Sequence, residues 1–216
     1  MSIIAENIIK TYKRRGKSFN AVDSVSITIP KGKITAIMGH SGSGKSTLLN
    51  ILAGMIKPEK GNVLIDGTDL FQEKSKTRDK LRAGKIGIVP QSQSLIGGLT
   101  AYDNIKLQSG FSKAENDFSE IVSLLGIDDL MSAYPNNLSG GEMKRVAIAR
   151  ALSGNAEYIF ADEPTGELDS ANSKSVMEIF RKEAEKGKGI LIVTHDRDAA
   201  EMADIIYHMD LGKLIS

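Results

Sequence analysis

The segment Gly39-His40-Ser41-Gly42-Ser43-Gly44-Lys45-Ser46-Thr47 constrains the fold of this sequence more than any other feature. It satisfies G-x-x-x-x-G-K-[ST] and follows a short apolar run, Ile34-Thr35-Ala36-Ile37-Met38. Apolar residues with helical spacing come next, so the order predicts a buried strand, a glycine-rich loop and a helix. Glycines let backbone N–H groups converge on phosphate oxygens, and the helix N-terminus favours an anion. We therefore predict a phosphate-binding loop over residues 39–47.

The loop also carries side chains suited to a nucleoside triphosphate and its metal ion. We expect Lys45 to reach the β- and γ-phosphates, Ser46 to ligate Mg²⁺ and Thr47 to assist near the α-phosphate. His40 occupies an unspecified position of the pattern and is interpreted as a tolerated loop residue. The alternative, a chance glycine-rich turn, does not require the flanking strand and helix.

Short apolar runs alternate with helical patterns along the chain, which is typical of an α/β protein with a mostly parallel sheet. We expect one domain over residues 1–216. Residues 1–91 and 156–216 would form a P-loop NTPase (RecA-like) core with an N-terminal antiparallel β part, and residues 92–155 an inserted α-helical subdomain. The strand candidates are Val25 to Ile29, Ile34 to Met38, Tyr158 to Ala161 and Ile190 to Val193, followed by a hairpin turning near Asp210 to Gly212.

Two carboxylates, Asp162 and Glu163, directly follow the apolar run Tyr158-Ile159-Phe160-Ala161. Ligands of open α/β sheets bind outside the carboxyl ends of strands. Asp162 is suited to hold Mg²⁺, which prefers oxygen ligands, and Glu163 is suited to polarise a water for in-line attack. A solvated strand end is the alternative for this pair in isolation, but the phosphate loop favours the catalytic interpretation.

Composition limits the possible partners and compartment. The formal net charge of +1 gives no reason to expect nucleic acid, and the basic stretches Lys10 to Lys17 and Lys74 to Arg82 are short enough to be solvated faces. The absence of cysteine suits a reducing compartment. We find no secretory signal and no apolar run near the ~18 residues that cross a bilayer, so a membrane role would need another chain.

The segment Leu138 to Leu152 separates the possible P-loop classes. Ser139, Gly140 and Gly141 open a predicted helix, and a hydroxyl with bare N–H groups there is a second anion site. An ordinary helix N-cap is the alternative. Together with the loop and the acidic strand end, this segment resembles the signature of ABC ATPases, and the resemblance covers essentially the whole chain.

The resemblance implies roles for further residues. Tyr12 is similar to the aromatic that stacks on adenine, although a surface or core tyrosine is a rival interpretation. Gln91 resembles the Q-loop glutamine that touches Mg²⁺ and the attacking water, and Asp169 the D-loop aspartate between subunits. His195 resembles the switch histidine near the γ-phosphate, whereas His208 has only a structural interpretation. In such ATPases Ser139, Gly140, Gly141 and Glu142 cover the ATP held by a second protomer.

The implied function is an ATP-hydrolysing subunit that uses ATP and Mg²⁺ and forms a homodimer, or a heterodimer with a similar ATPase. It would lie on the cytoplasmic face of the cell membrane beneath separately encoded permease subunits, with a coupling helix received near residues 91–104. Residues 162–170 and 99–105 resemble the branch of lipoprotein-release, macrolide-efflux and antimicrobial-peptide systems and of the cell-division ATPase. Glu167 departs from the usual Asn, and Glu142-Met143-Lys144 from the glutamine-rich version.

Two alternative functions remain open at this point. An ABC ATPase in cell division or cofactor assembly would keep every site and change only the partner. A P-loop small-molecule kinase would have no need of Ser139-Gly140-Gly141. The transported substrate and the direction of transport are not encoded in these motifs.

Overall fold

The central sheet has six strands, and five of them are parallel. The computed structural model describes residues 1–92, 95–109 and 118–215, and its strands and helices are numbered in chain order. The strands of this sheet are β3 (Ile34–Met38), β6 (Ile86–Val89), β7 (Tyr158–Asp162), β8 (Gly189–Thr194), β9 (Ile205–Asp210) and β10 (Lys213–Ile215). Their spatial order is β10-β9-β3-β8-β7-β6, with β10 antiparallel to β9. The carboxyl ends of β3, β6, β7 and β8 therefore meet at one edge.

A second sheet is antiparallel, as predicted for the N-terminal part. It contains β1 (Ser2–Arg14), β2 (Lys17–Pro30), β4 (Lys60–Ile65) and β5 (Thr68–Asp69), in the order β2-β1-β4-β5. The alternation of Val25, Ile27 and Ile29 was a correct strand signal, because these three side chains are buried while their neighbours face outward. The pairing of β1 with β2 shifts register three times, and Asn7 there has a positive φ of 52°.

The described residues outside the two sheets form helices, 3-10 turns and connecting loops. They are α1 (Lys45–Leu52), α2 (Ser75–Lys85), α3 (Ala101–Ser109), α4 (Ser119–Leu124), α5 (Gly140–Leu152), α6 (Ser170–Glu185) and α7 (Arg197–Glu201), with 3-10 turns at Asp128–Leu130 and Pro135–Asn137. Every regular element described between residues 95 and 155 is helical. The division of the chain at residues 92 and 155 stays an interpretation. No described helix is long and apolar enough to cross a membrane.

The central sheet is buried on both faces, which explains its uninterrupted apolar strands. Along β7, Tyr158 and Phe160 join a core with α1 and the antiparallel sheet, whereas Ile159 and Ala161 join a core with α3, α5 and α6. Fully burying a large apolar side chain contributes about 1.5–3 kcal/mol. Burial on both faces fixes the strand ends, and with them the polar residues that follow.

Candidate functional site

The loop between β3 and α1 is held in shape by its glycines. Gly44 has a φ of 108° and directly precedes α1, and a Cβ there would come within 2.0 Å of the Ala21 carbonyl oxygen. Gly42 has a φ of 82° and faces open space. The backbone at both positions is one that side chains other than glycine rarely adopt. The two glycines thus give the loop its backbone shape immediately before the α1 N-terminus, where an anion is favoured.

Lys45 is the first residue of α1, and its side chain folds back over the loop. Its Nζ donates hydrogen bonds to the carbonyl oxygens of Gly39, at 2.7 Å, and His40, at 3.1 Å. The lysine is buried, so its charge is held in place by these carbonyls rather than by bulk water. An ammonium fixed at the loop rim can add a charge-assisted bond to a phosphate.

The loop forms the floor of a cleft of about 710 Å³ that is large enough for a nucleotide. At one wall the rings of Tyr12 and Phe19 lie 6.3 Å apart on paired strands, 36% and 48% exposed. An exposed aromatic pair supplies a flat apolar surface for a base. The residues that line the cleft are Tyr12, Phe19, Ala21, His40, Ser41, Gly42, Gly44, Lys45, Ser46, Thr47, Gln91, Glu163 and His195.

Asp162 ends β7 with a buried carboxylate that is suited to a cation. It accepts a hydrogen bond from Ser46, while its buried Oδ1 has no partner among the described residues. Burial raises the pKa of Asp162, and the neighbouring Glu163 raises it further. Because Ser46, Asp162 and Gln91 offer only oxygen as ligand atoms, they fit Mg²⁺, which also retains water and phosphate oxygens.

Glu163 is held by residues at the end of β8. Its Oε2 accepts a hydrogen bond from Thr194 Oγ1 at 2.9 Å, and its Oε1 lies 2.9 Å from Nδ1 of His195. Glu163 has a positive φ of 50°, and its side chain is 13% exposed, whereas that of His195 is 74% exposed. Strained backbone of this kind concentrates at functional sites. Strands β7 and β8 thus present an oriented carboxylate and an accessible imidazole to the same cleft.

His40 has hydrogen-bond partners on both ring nitrogens, which its interpretation as a tolerated loop residue did not include. Its Nδ1 lies 2.8 Å from the Ser41 carbonyl oxygen and its Nε2 lies 2.7 Å from Oδ1 of Asp210. Both partners can accept a hydrogen bond, so they favour the protonated form of the ring, in which both nitrogens donate. These two bonds raise the pKa of His40. The His40 side chain thereby ties the phosphate loop to the end of β9.

Ser139, Gly140 and Gly141 open α5 in a capping box. The Ser139 N–H and hydroxyl donate to Glu142 Oε2 at 2.7 and 2.9 Å, and the Glu142 N–H donates to Ser139 Oγ at 3.3 Å. The hydrogen bonds from Ser139 lower the pKa of Glu142. The N-cap interpretation therefore describes this turn. The anion-site interpretation stays a prediction, for which the Gly140 and Gly141 N–H groups at the helix start are available.

This turn lies on a different cleft from the phosphate loop. A second cleft of about 380 Å³ is lined by Ser139, Gly140, Gly141, Arg145, Glu167, Leu168, Asp169 and Asn172. Asp169 caps α6, accepting from the Asn172 N–H at 2.8 Å. The chain brings Lys45, Gln91, Glu163 and His195 together, but it places Ser139 and Asp169 elsewhere. The two predicted phosphate sites do not meet within one copy.

Comparison with known proteins assigns the chain to a family. Residues 22–166 match the ABC transporter family. The chain belongs to this family, as an ATP-binding cassette of the ABC ATPase class with the P-loop α/β fold.

The relatives and solved structures narrow the comparison. The chain is 41% identical over 216 residues to the lipoprotein-releasing system ATP-binding protein LolD of Aquifex aeolicus, covering 98% of this chain and 95% of the relative. It is 39% identical to the macrolide export ATP-binding/permease protein MacB of Campylobacter fetus, covering 98% of this chain but only 34% of that relative. The chain thus spans about a third of the MacB length.

Solved structures of the cassette MJ0796 are similar over almost the whole chain. A dimeric structure of this bacterial ABC transporter cassette has a TM-score of 0.94 at 36% identity and covers 99% of this chain and 97% of that one. A dimeric post-hydrolysis state of the same cassette, bound to ADP and Pi, has a TM-score of 0.93 at 35% identity, with the same two coverages.

Several residues of the site escaped the sequence analysis. Phe19 would have emerged from pairing β1 with β2, which places it opposite Tyr12. Thr194 directly precedes His195, and only its hydroxyl's contact with Glu163 shows that it belongs to the site. Asp210 gave no signal, because its contact with His40 joins residues 170 positions apart.

Proposed function

We propose that the chain binds ATP with Mg²⁺ in the cleft lined by Tyr12 and Lys45 and hydrolyses it to ADP and phosphate. The adenine stacks on the aromatic wall, and the phosphates lie on the N–H groups of the loop. Lys45 stabilises the β- and γ-phosphates, while Ser46, Asp162 and Gln91 hold the metal. The fit of this site rests on the unpartnered Oδ1 of Asp162 and on the oriented loop.

Hydrolysis begins with in-line attack of water on the γ-phosphorus. Glu163 polarises the water and accepts its proton as the new P–O bond forms. The bond between the γ-phosphorus and the β–γ bridging oxygen breaks, and ADP leaves with that oxygen. Mg²⁺ supplies charge compensation for the phosphates when it is bound. His195, accessible beside Glu163, contacts the γ-phosphate, and Thr194 orients the carboxylate. A positioned base contributes about 10²–10⁴-fold.

We propose further that two copies, or this chain and a similar ATPase, close around two ATP molecules. The observation that carries this proposal is the separation of the phosphate loop from Ser139 and Asp169 on different clefts. In the closed dimer, the Ser139 turn and the Gly140 and Gly141 N–H groups of one copy cover the γ-phosphate held by the other. ATP stabilises the closed state and hydrolysis releases it, which converts γ-phosphate contacts into motion.

The work done by this motion is proposed to be transport-related, at the cytoplasmic face of the cell membrane. LolD and MacB, by their names, act in lipoprotein release and macrolide export, and they support a role in export, efflux or mechanotransmission with permease subunits from another chain. Ile96 and Tyr102 expose apolar side chains in the segment that follows Gln91, and they support docking of a partner helix on residues 91–104. Within the proposed docking surface, residues 93 and 94 lie outside the described part of the chain.

Hydrolysis and dimerisation are tested together on the purified chain. Phosphate release from ATP without a phosphorylated acceptor supports an ATPase and excludes a kinase. Glu163→Gln should lower turnover by about 10²–10⁴-fold, retain ATP and accumulate a dimer in sedimentation. A Glu163→Gln chain that is still active and monomeric would show that the base is misassigned.

A further inference from the structure

Lys144 is a buried cation that lies between the phosphate-loop cleft and the second cleft of one chain. It belongs to α5 and is only 8% exposed. Its Nζ donates to the carbonyl oxygens of Pro90, at 3.3 Å, and Gln91, at 3.1 Å. These carbonyls satisfy part of its hydrogen-bonding capacity, but they do not balance its charge. A buried ammonium is costly unless negative charge lies nearby.

Glu167 supplies negative charge at the start of α5. Its carboxylate lies over Gly140, so close that a Cβ on that glycine would meet Oε2 at 2.3 Å. Glu167 and Lys144 line the same small cavity, together with Gln91 and Gly140. Burial lowers the pKa of Lys144, while the carboxylates of Glu167, Asp162 and Glu163 oppose this and favour the charged ammonium.

The position of Glu167 creates an electrostatic problem for the proposed dimer. Gly140 and Gly141 are where the partner's triphosphate is proposed to bind, and a carboxylate over Gly140 would repel that anion. A cation under the same turn offsets the extra carboxylate.

We propose that Lys144 and Glu167 act as one charge-compensating pair. Lys144 offsets the negative charge of Glu167, so that the turn at the start of α5 can accept the partner's triphosphate. The pair acts through the field, since Lys144 makes no direct ion pair with a carboxylate of residues 1–92, 95–109 or 118–215. Because Lys144 also holds the backbone of Gln91, it is a positioning residue that links the metal side of one ATP site to the anion site of the other. This inference rests on the proposed ATP-driven dimer.

The test is a double-mutant cycle on ATP-dependent dimerisation, in a Glu163→Gln background that blocks hydrolysis. Lys144→Gln should weaken the dimer about tenfold, because Glu167 then loses the buried cation beside it at both interfaces and keeps only the charge of Arg145 in the second cleft. Glu167→Asn alone should leave the dissociation constant within about threefold of the parent, and the double variant should return to that range. Lys144→Arg, which keeps the charge, is the matched control and should retain the dimer.

Ionic strength supplies a readout that a merely structural lysine would not change. Added salt screens the exposed Glu167, so it should reduce the difference in dimer dissociation constant between Lys144→Gln and the parent. Nucleotide binding by the separated monomers reports whether each variant is folded.

Three results would overturn the inference. The first is additive effects of the two substitutions on the dimer dissociation constant, and the second is a difference between Lys144→Gln and the parent that salt does not reduce. The third is a dimer that Glu167→Asn alone tightens about tenfold. The last comparison needs no substitution of the buried lysine, and thus stands even if Lys144→Gln unfolds. If the parent fails to dimerise with ATP, the proposed function fails instead.

Discussion

Thr194→Val should slow ATP hydrolysis by removing a single hydroxyl behind the proposed base. Thr194 is fully buried at the end of β8, and its hydroxyl donates to Glu163 Oε2 at 2.9 Å while accepting from the Asp196 N–H at 3.0 Å. Valine has nearly the same shape and suits a strand, so the change is chiefly the loss of these bonds.

A hydrogen bond to a charged group contributes about 1.5–3 kcal/mol. Because the Glu163 side chain is 13% exposed and also contacts His195, water and the imidazole compensate in part, and the lower end applies. We expect kcat to fall about tenfold, with KM for ATP within about threefold, since the substrate is bound mainly by the phosphate loop.

The assay is steady-state phosphate release at saturating MgATP, with Thr194→Ser as the matched control that keeps a hydroxyl. Thr194→Val should also have little further effect in a Glu163→Gln background, because residues that act as a unit are not additive. Unchanged kcat in Thr194→Val, or an equal loss in Thr194→Ser, would refute the orienting role.

Four further substitutions test the fold and the site. Gly87→Ala should lower the free energy of unfolding by about 1–3 kcal/mol in a denaturant titration, because its Cβ would lie 2.4 Å from the Ala151 carbonyl oxygen. Glu183 is buried, which alone would raise its pKa, but hydrogen bonds from two lysines lower it below the ordinary value. Its contribution to the free energy of unfolding is therefore present above pH ~4.3 and lost as pH falls through the lower folded pKa. Glu183→Gln should accordingly make the free energy of unfolding fall less steeply with pH in the acid range. Lys45→Ala should abolish nucleotide binding by the monomer, whereas Ser139→Arg should spare it and impair dimer closure.

Nucleotide binding retained by a Lys45→Ala monomer would contradict the role of that lysine, and each of the other predictions has a contradicting result as well. A Gly87→Ala chain as stable as the parent would mean that β6 and α5 can separate at no cost. An unchanged acid limb in Glu183→Gln would assign the pH dependence to other carboxylates. Loss of monomer nucleotide binding in Ser139→Arg would place Ser139 in its own chain's cleft.

Local sequence patterns predicted the parts of the fold in which neighbours along the chain determine the structure. The strand–loop–helix unit around Gly44 and Lys45 was readable because an apolar run, glycines and a helical stripe follow one another. Asp162 was placed correctly at a strand end for the same reason. In contrast, α2 has no buried residue and hence no apolar stripe, and the register shifts in β1 obscure its alternation.

Contacts between distant segments were beyond the reach of these patterns. A helical lysine such as Lys144 is ordinarily exposed, yet this one is buried because residues 90–91 cover it. The sequence predicts Glu167 to be an exposed acidic residue in a loop. Only the packing of the segment after β7 against α5 brings its carboxylate over Gly140. These positions depend on tertiary packing, which overrides the local preference of a side chain.

The composite ATP site is tested most directly by crosslinking between two copies, since the chain contains no cysteine of its own. Ser41, exposed in the first cleft, and Ser139, exposed at the second, are each replaced by cysteine in separate Glu163→Gln chains, which are then mixed with a short thiol crosslinker. We predict a covalent dimer containing one chain of each kind with ATP and far less with ADP. No such product with ATP, or equal amounts without nucleotide, would contradict the shared site.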